Sequence, residues 1–162
     1  MNKSLEFKLF DTYPEVLRKK DFPTGLPVDD GWYVILDTIC YHINHRINVI
    51  HWGYNHKEQK KIHCEVRIIE LGREDYGGCL TFKFDIDWIL ASPTHEVETE
   101  LNNRLQELTN LVQTWSSRTC EMSGRPGQNY VSIDDEHISR ILDPNVAKAL
   151  NFVNESYHYE KH

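Results

Sequence analysis

Apolar residues recur at helical spacing in two long stretches of the chain. In the first, Trp32, Ile35, Leu36, Ile39, Ile43, Ile47 and Ile50 form one stripe, with Asp37, Tyr41, Asn44, His45 and Asn48 opposite. A stripe repeating every third or fourth residue is the mark of a helix with one face on a core. The spacing predicts a helix over 31–51, roughly 30 Å long at about 1.5 Å per residue, with Gly53 as its stop. In the second stretch, Val97, Leu101, Leu105, Leu108, Val112 and Trp115 form the stripe. Ser92-Pro93-Thr94 opens this helix and the turn at 123–127 closes it, with Leu108 and Trp115 expected to be buried. Between the two stretches the pattern changes to alternation. Cys64, Val66 and Ile68 alternate with His63, Glu65, Arg67 and Ile69, and Leu80, Phe82, Phe84 and Ile86 with Thr81, Lys83 and Asp85. Alternation with one apolar face predicts two half-buried antiparallel strands. Gly72 and Gly77-Gly78 bracket their connection, which reads as a hairpin.

Shorter signals complete the picture. Thr12, Pro14 and Glu15 have the order of a capping box with proline in the first turn, which predicts a short helix starting at Thr12. Residues 21–30 hold Pro23, Gly25 and Pro27 and read as a loop. Tyr130, Val131 and Ile133 predict a short strand. Asp143-Pro144 predicts the start of a last helix with Val146, Ala149, Leu150 and Phe152 as its apolar residues. Residues 154–162 are expected to fray. The chain therefore reads as one domain over 1–162 with its folded core in 10–152. The expected class is α+β: a two- or three-stranded antiparallel sheet with two long helices packed on one face. So small a sheet does not cover two helices, and a homodimer would complete the cover.

The net charge is −7 over 162 residues, which argues against broad, sequence-blind nucleic-acid binding. No apolar run is long enough to span a membrane. Residues 1–10 lack the apolar segment of an export signal, and the four cysteines (Cys40, Cys64, Cys79, Cys120) show no disulfide spacing. Cytoplasmic location with reduced thiols is expected.

Catalytic patterns are missing. The chain has no Gly-x-Ser-x-Gly, no phosphate-binding Gly-rich loop and no His-Glu-x-x-His. His42 and His45 share a helix face, and His51, His56 and His63 flank a loop, but two histidines make a weak metal site. Cys64 and Cys79 lie in strand patterns and read as small core residues. The carboxylate pairs Asp85/Asp87, Asp134/Asp135 and Glu98/Glu100 have no distinctive partner. What remains is arginine at turns. Arg73 lies three residues before Tyr76, and Arg118 and Arg125 flank the turn at 123–127. Guanidinium forks suit phosphate or carboxylate, and a ring beside them suits a base. Arg73, Tyr76, Arg118 and Arg125 are therefore the candidate ligand-binding residues, with no catalytic residue, metal or cofactor expected. Tyr33, Tyr41, Trp52, Tyr54, Tyr130, Tyr157 and Tyr159 add aromatic surface suited to ligands or interfaces.

Three segments carry a resemblance. Asp30-Gly31-Trp32-Tyr33-Val34-Ile35-Leu36-Asp37, Arg73-Glu74-Asp75-Tyr76-Gly77-Gly78 with Phe82-Lys83-Phe84, and Thr119-Cys120-Glu121-Met122-Ser123-Gly124-Arg125-Pro126-Gly127 resemble the GDGWYxLLD, KEKFGGLRFYY and TCExCGxPG segments of a family of uncharacterised, mostly phage-encoded small proteins. Residues 141–150 resemble the ending of some members. The resemblance implies a small α+β domain of phage type and no established activity. Some members carry a second Cys in the knuckle and further Cys or His downstream. Here Ser123 stands at that place, followed by Asp134, His137 and Asp143, so no zinc is expected. On this reading the chain is a non-enzymatic binding protein in the host cytoplasm. It would sequester a small nucleotide-like or anionic ligand or dock on a host protein to block a defence pathway. The alternatives are a metal-dependent hydrolase and a degenerate zinc-ribbon interaction module.

Overall fold

The computed structural model describes residues 1–55, 60–74, 78–89, 92–133 and 138–154, with the side chains of 51–55 and 60–61 left aside. The fold is α+β. Its main layer is an antiparallel sheet in the order β1 (His51–Asn55), β2 (Lys60–Arg73), β3 (Leu80–Trp88). Helices α2 (Tyr33–His42) and α3 (His95–Ser116) share a core with it. Cys64, Val66 and Ile68 of β2 meet Ile35, Leu36 and Ile39 of α2 and Leu101, Leu105 and Val112 of α3 in that core. Leu108 is half-buried and Trp115 exposed, against expectation. The reason is helical phase. Leu101, Leu105 and Val112 lie on the core-facing side, and the stripe drifts away from it towards the last turn, where Ser116 is buried instead.

The pairing of β2 with β3 contains a bulge between Ile68 and Glu70. One extra residue in a strand reverses which side chains face inward. Burial accordingly shifts from even positions, ending at Ile68, to Leu71. On the other face Arg67 lies opposite Asp85 and its guanidinium pairs with Asp85 and with Asp87, the latter at 2.6 Å.

The first helix, α1 (Lys3–Thr12), precedes the predicted one and ends where that was to start. Asn2 caps it by accepting from the amides of Ser4 and Leu5 at 2.8 and 3.3 Å. Pro14 ends it, because proline disfavours helix in the residue before it. The long helix predicted over 31–51 is also shorter. A 3-10 turn (Asp30–Trp32) leads into α2, and a π-helical turn (Ile43–Ile47) follows it. The path leaves the helix so that the buried Asn48 can satisfy the main chain of β2. Its carboxamide accepts from Val66 N at 2.8 Å and donates to Val66 O at 3.3 Å. Residue 53 then lies within β1 rather than acting as a helix stop.

A second antiparallel sheet, not foreseen, has the order β5 (Ser139–Leu142), β4 (Gln128–Ser132), β6 (Phe152–Asn154). Only β4 was expected, and Ile133 lies just beyond it. The last helix, α4 (Pro144–Ala149), starts as predicted, with Asp143 accepting from the amides of Asn145 and Val146. It buries Ala147 rather than Ala149 or Leu150. Asn154 closes β6, while 155–162 lie outside the described residues.

Candidate functional site

The segment starting at Asp30 and the turn that follows α3 are stacked on each other. Gly31 N donates to Glu121 O at 2.8 Å, and the Trp32 indole donates to Thr119 O at 3.0 Å. Gly31 is glycine because a Cβ there would lie 2.2 Å from Cys120 O and 2.5 Å from Gly124 N. Gly124 adopts φ 70°, the left-handed conformation that favours glycine.

The docking buries Glu121 beneath two arginines. Arg73, at the end of β2, reaches its Oε1 at 3.3 Å. Arg140, from β5, pairs with the same oxygen and with Asp29. A charge chain Asp29–Arg140–Glu121–Arg73 thus runs from one side of the junction to the other. Glu121 is its most buried member at 2% side-chain exposure, and Arg73 retains 35%. Burying a carboxylate is costly unless it is paired and hydrogen-bonded, and here two guanidinium groups meet that requirement.

Beside the chain lies a cleft of about 390 Å³ lined by Pro27, Val28, Asp29, Trp32, Arg73 and Glu121 among others. Among the described residues Arg73 uses only Nη1, on Glu121, which leaves most of the five donors of a guanidinium without a partner there. Trp32 supplies an apolar wall, its N–H being spent on Thr119.

The other predicted ligand residues fare differently. Arg118 and Arg125 are exposed and have no side-chain partner among the described residues. Neither lines the cleft. Their main chain builds the turn instead: Arg118 O accepts from Gly127 N at 2.9 Å and Arg125 O from Cys120 N at 2.8 Å. Tyr76 lies outside the described residues, as do His56, Asp134, Asp135, His137, Tyr157 and Tyr159. Glu121, Arg140 and Asp29 were not singled out from the sequence.

The chain matches no family model, no curated protein and no solved structure.

The knuckle holds itself together by hydrogen bonds. Ser123 N donates to Cys120 Sγ at 3.4 Å, and Ser123 Oγ donates to Asp143. That bond, with the two α4 amides, holds the Asp143 carboxyl below its ordinary range. A lowered carboxylate pKa contributes stability that is full above the unfolded value, about 3.9, and is lost as pH falls through the folded one. Asp143→Asn should therefore flatten the acid limb of the pH–stability curve below about pH 4. Urea melts across that range check it, and an acid limb as steep as the parent's would remove Asp143 from the account.

Elsewhere the candidate groups are engaged. His45 stacks on Tyr41 with ring centroids 4.5 Å apart. The Cys79 thiol donates to Glu74 at 2.8 Å, and burial followed by that bond pushes its pKa up to about 11. Burial alone pushes Cys64 up to about 11, and burial with Asp37 nearby raises Cys40 further. A thiol is nucleophilic as its thiolate, so these three are poor nucleophiles. Among the described residues no three His, Cys, Asp or Glu side chains are grouped to hold a metal ion, and no helix is long and apolar enough to cross a membrane.

Proposed function

We propose that this chain is a non-enzymatic binding protein of phage type that sequesters a small anionic, nucleotide-like ligand in the host cytoplasm. The observation that carries the reading is Arg73 at the edge of the junction cleft, with a buried carboxylate fixing one N–H and the other donors without a partner among the described residues. A guanidinium fixed by one partner loses less freedom on gripping a second. The cleft lies in the range of small-molecule sites, about 300–1,000 Å³. Tyr76 follows Arg73 on the same connection and is the ring proposed for a base. Arg118 and Arg125 form a separate cationic turn. Binding without turnover is favoured because the two carboxylates of the cleft, Asp29 and Glu121, are both engaged by arginines in ion pairs.

A thermal-shift screen of linear and cyclic nucleotides should give a hit, and chromatography should return that ligand unchanged. One charged contact is worth about 1.5–3 kcal/mol, so Arg73→Ala should weaken binding roughly 10- to 150-fold. A cleaved ligand would establish an enzyme. No shift with any nucleotide would end the ligand reading.

A second reading, a metal-free zinc-ribbon-like interaction module, is favoured by one observation. Cys120, Ser123 and Asp143 stay linked where a knuckle and its downstream ligand would meet. Co-purification of one stoichiometric host protein, with no nucleotide shift, would select it.

A further inference from the structure

A surface groove runs between α1 and the loop that follows it, and it has the character of an interaction surface. One wall is α1, contributing Phe7 and Phe10; the other is the loop that runs from Arg18 to Gly25; the volume is about 840 Å³. Phe7 is 69% exposed, the most exposed large apolar side chain among the described residues. Phe10 is better held, with its ring 6.3 Å from that of Phe22. Pro14 and Pro23 add to the apolar lining.

The loop wall is preset. Asp21 N donates to Arg18 O at 2.9 Å, Phe22 N to Lys19 O at 3.2 Å and Gly25 N to Phe22 O at 3.0 Å. Gly25 has φ 94°, and a Cβ there would lie 2.9 Å from Glu6 Oε2, so the loop comes close to α1. A wall fixed before binding spares the occupant the cost of ordering it.

The charge of the groove runs against that of the chain. Four cations, Lys3, Arg18, Lys19 and Lys20, face two acids, Glu6 and Asp11, in a protein of net charge −7. Arg18 is paired with Glu15 and Glu65. Lys3, Lys19 and Lys20 have no partner among the described residues. At physiological salt charges interact over about 8 Å, so with Arg18 already paired it is Lys19 and Lys20, at the loop wall, that meet what approaches there, rather than the net charge of the whole chain.

We infer that this groove docks an acidic amphipathic helix from a partner protein, its apolar face on Phe7 and Phe10 and its carboxylates on Lys19 and Lys20. A ten-residue α1 is about 15 Å long, which accommodates anchors at i, i+3 or i+4, and i+7 of a helix laid beside it. The groove is separate from the Arg73 cleft, and the inference does not depend on the ligand proposed there.

The test is fluorescence anisotropy of the full chain with three labelled peptides of about four helical turns. One bears glutamates opposite a Leu/Phe stripe, the second lysines in place of the glutamates, and the third scrambles the first. The glutamate peptide should bind and the other two should not. Phe7→Ala should weaken it about tenfold or more, and Lys19→Glu with Lys20→Glu about tenfold, mostly in the association rate. All three positions are exposed, so circular-dichroism melts should match the parent, and Lys148→Glu, on α4, should bind as the parent does. Equal binding of the lysine peptide, or no response to either groove variant, would overturn the inference. So would binding of dodecanoate in the same groove with no binding of the glutamate peptide, because the occupant would then be a small amphiphile.

Discussion

Gly31→Ala should lose roughly 3–5 kcal/mol of stability, read from urea denaturation. The new Cβ would meet Cys120 O at 2.2 Å, Gly124 N at 2.5 Å and Glu121 C at 2.7 Å. All three are main-chain atoms, so no side chain can rotate away. The turn must move off the helix start, stretching the Gly31–Glu121 and Trp32–Thr119 hydrogen bonds. Overpacking costs about 1–3 kcal/mol and each lost hydrogen bond about 0.5–1.5. Gly72→Ala is the control, since its Cβ would meet only Thr81 Oγ1, at 3.6 Å. A loss under about 1 kcal/mol for Gly31→Ala, inside the ordinary scatter of point mutants, would mean that the two segments are not stacked as described.

Glu121→Ala should cost about 3 kcal/mol, at the lower end for breaking a buried ion pair. The cost is moderated because both arginines keep some solvent access and Arg140 keeps Asp29. Glu121→Gln retains the shape and loses the charge, and should fall between the parent and Glu121→Ala. Double-mutant cycles apportion the effect. The Arg140–Glu121 coupling should exceed the Arg73–Glu121 coupling, because Arg140 is the more buried of the two and lies between two carboxylates. Equal, near-zero couplings would show that Glu121 is held by something other than the arginines.

The legible parts of the chain are those where local pattern and tertiary burial agree. The β2–β3 alternation, the α3 stripe at Leu101, Leu105 and Val112 though not at Trp115, and the Asp143-Pro144 start are of this kind. Each failure traces to a signal with two meanings or to none. Pro14 fits both a helix start and a helix stop, and the Thr12–Glu15 spacing tipped the reading the wrong way. Ile50 extended the α2 stripe by spacing alone, but the need of Val66 for a polar partner ends the helix near Asn48. Strands β5 and β6 have four and three residues, too few for alternation to register. At the site, Arg73 was legible as arginine at a turn. Glu121 was visible only as part of a short motif. Arg140 had no local signal, because its role arises from pairing across the fold.

The junction also has a kinetic consequence. Its closing contacts join residues far apart in the chain: Trp32 to Thr119 spans 87 positions and Asp29 to Arg140 spans 111. The β2–β3 pairing joins residues much nearer in sequence, so its loop closes at lower entropic cost. Folding should then lay down the main sheet first and latch the second sheet onto it afterwards. Changes at the latch, Gly31 and Glu121 among them, act on how fast the native state opens and leave the speed of its formation nearly untouched.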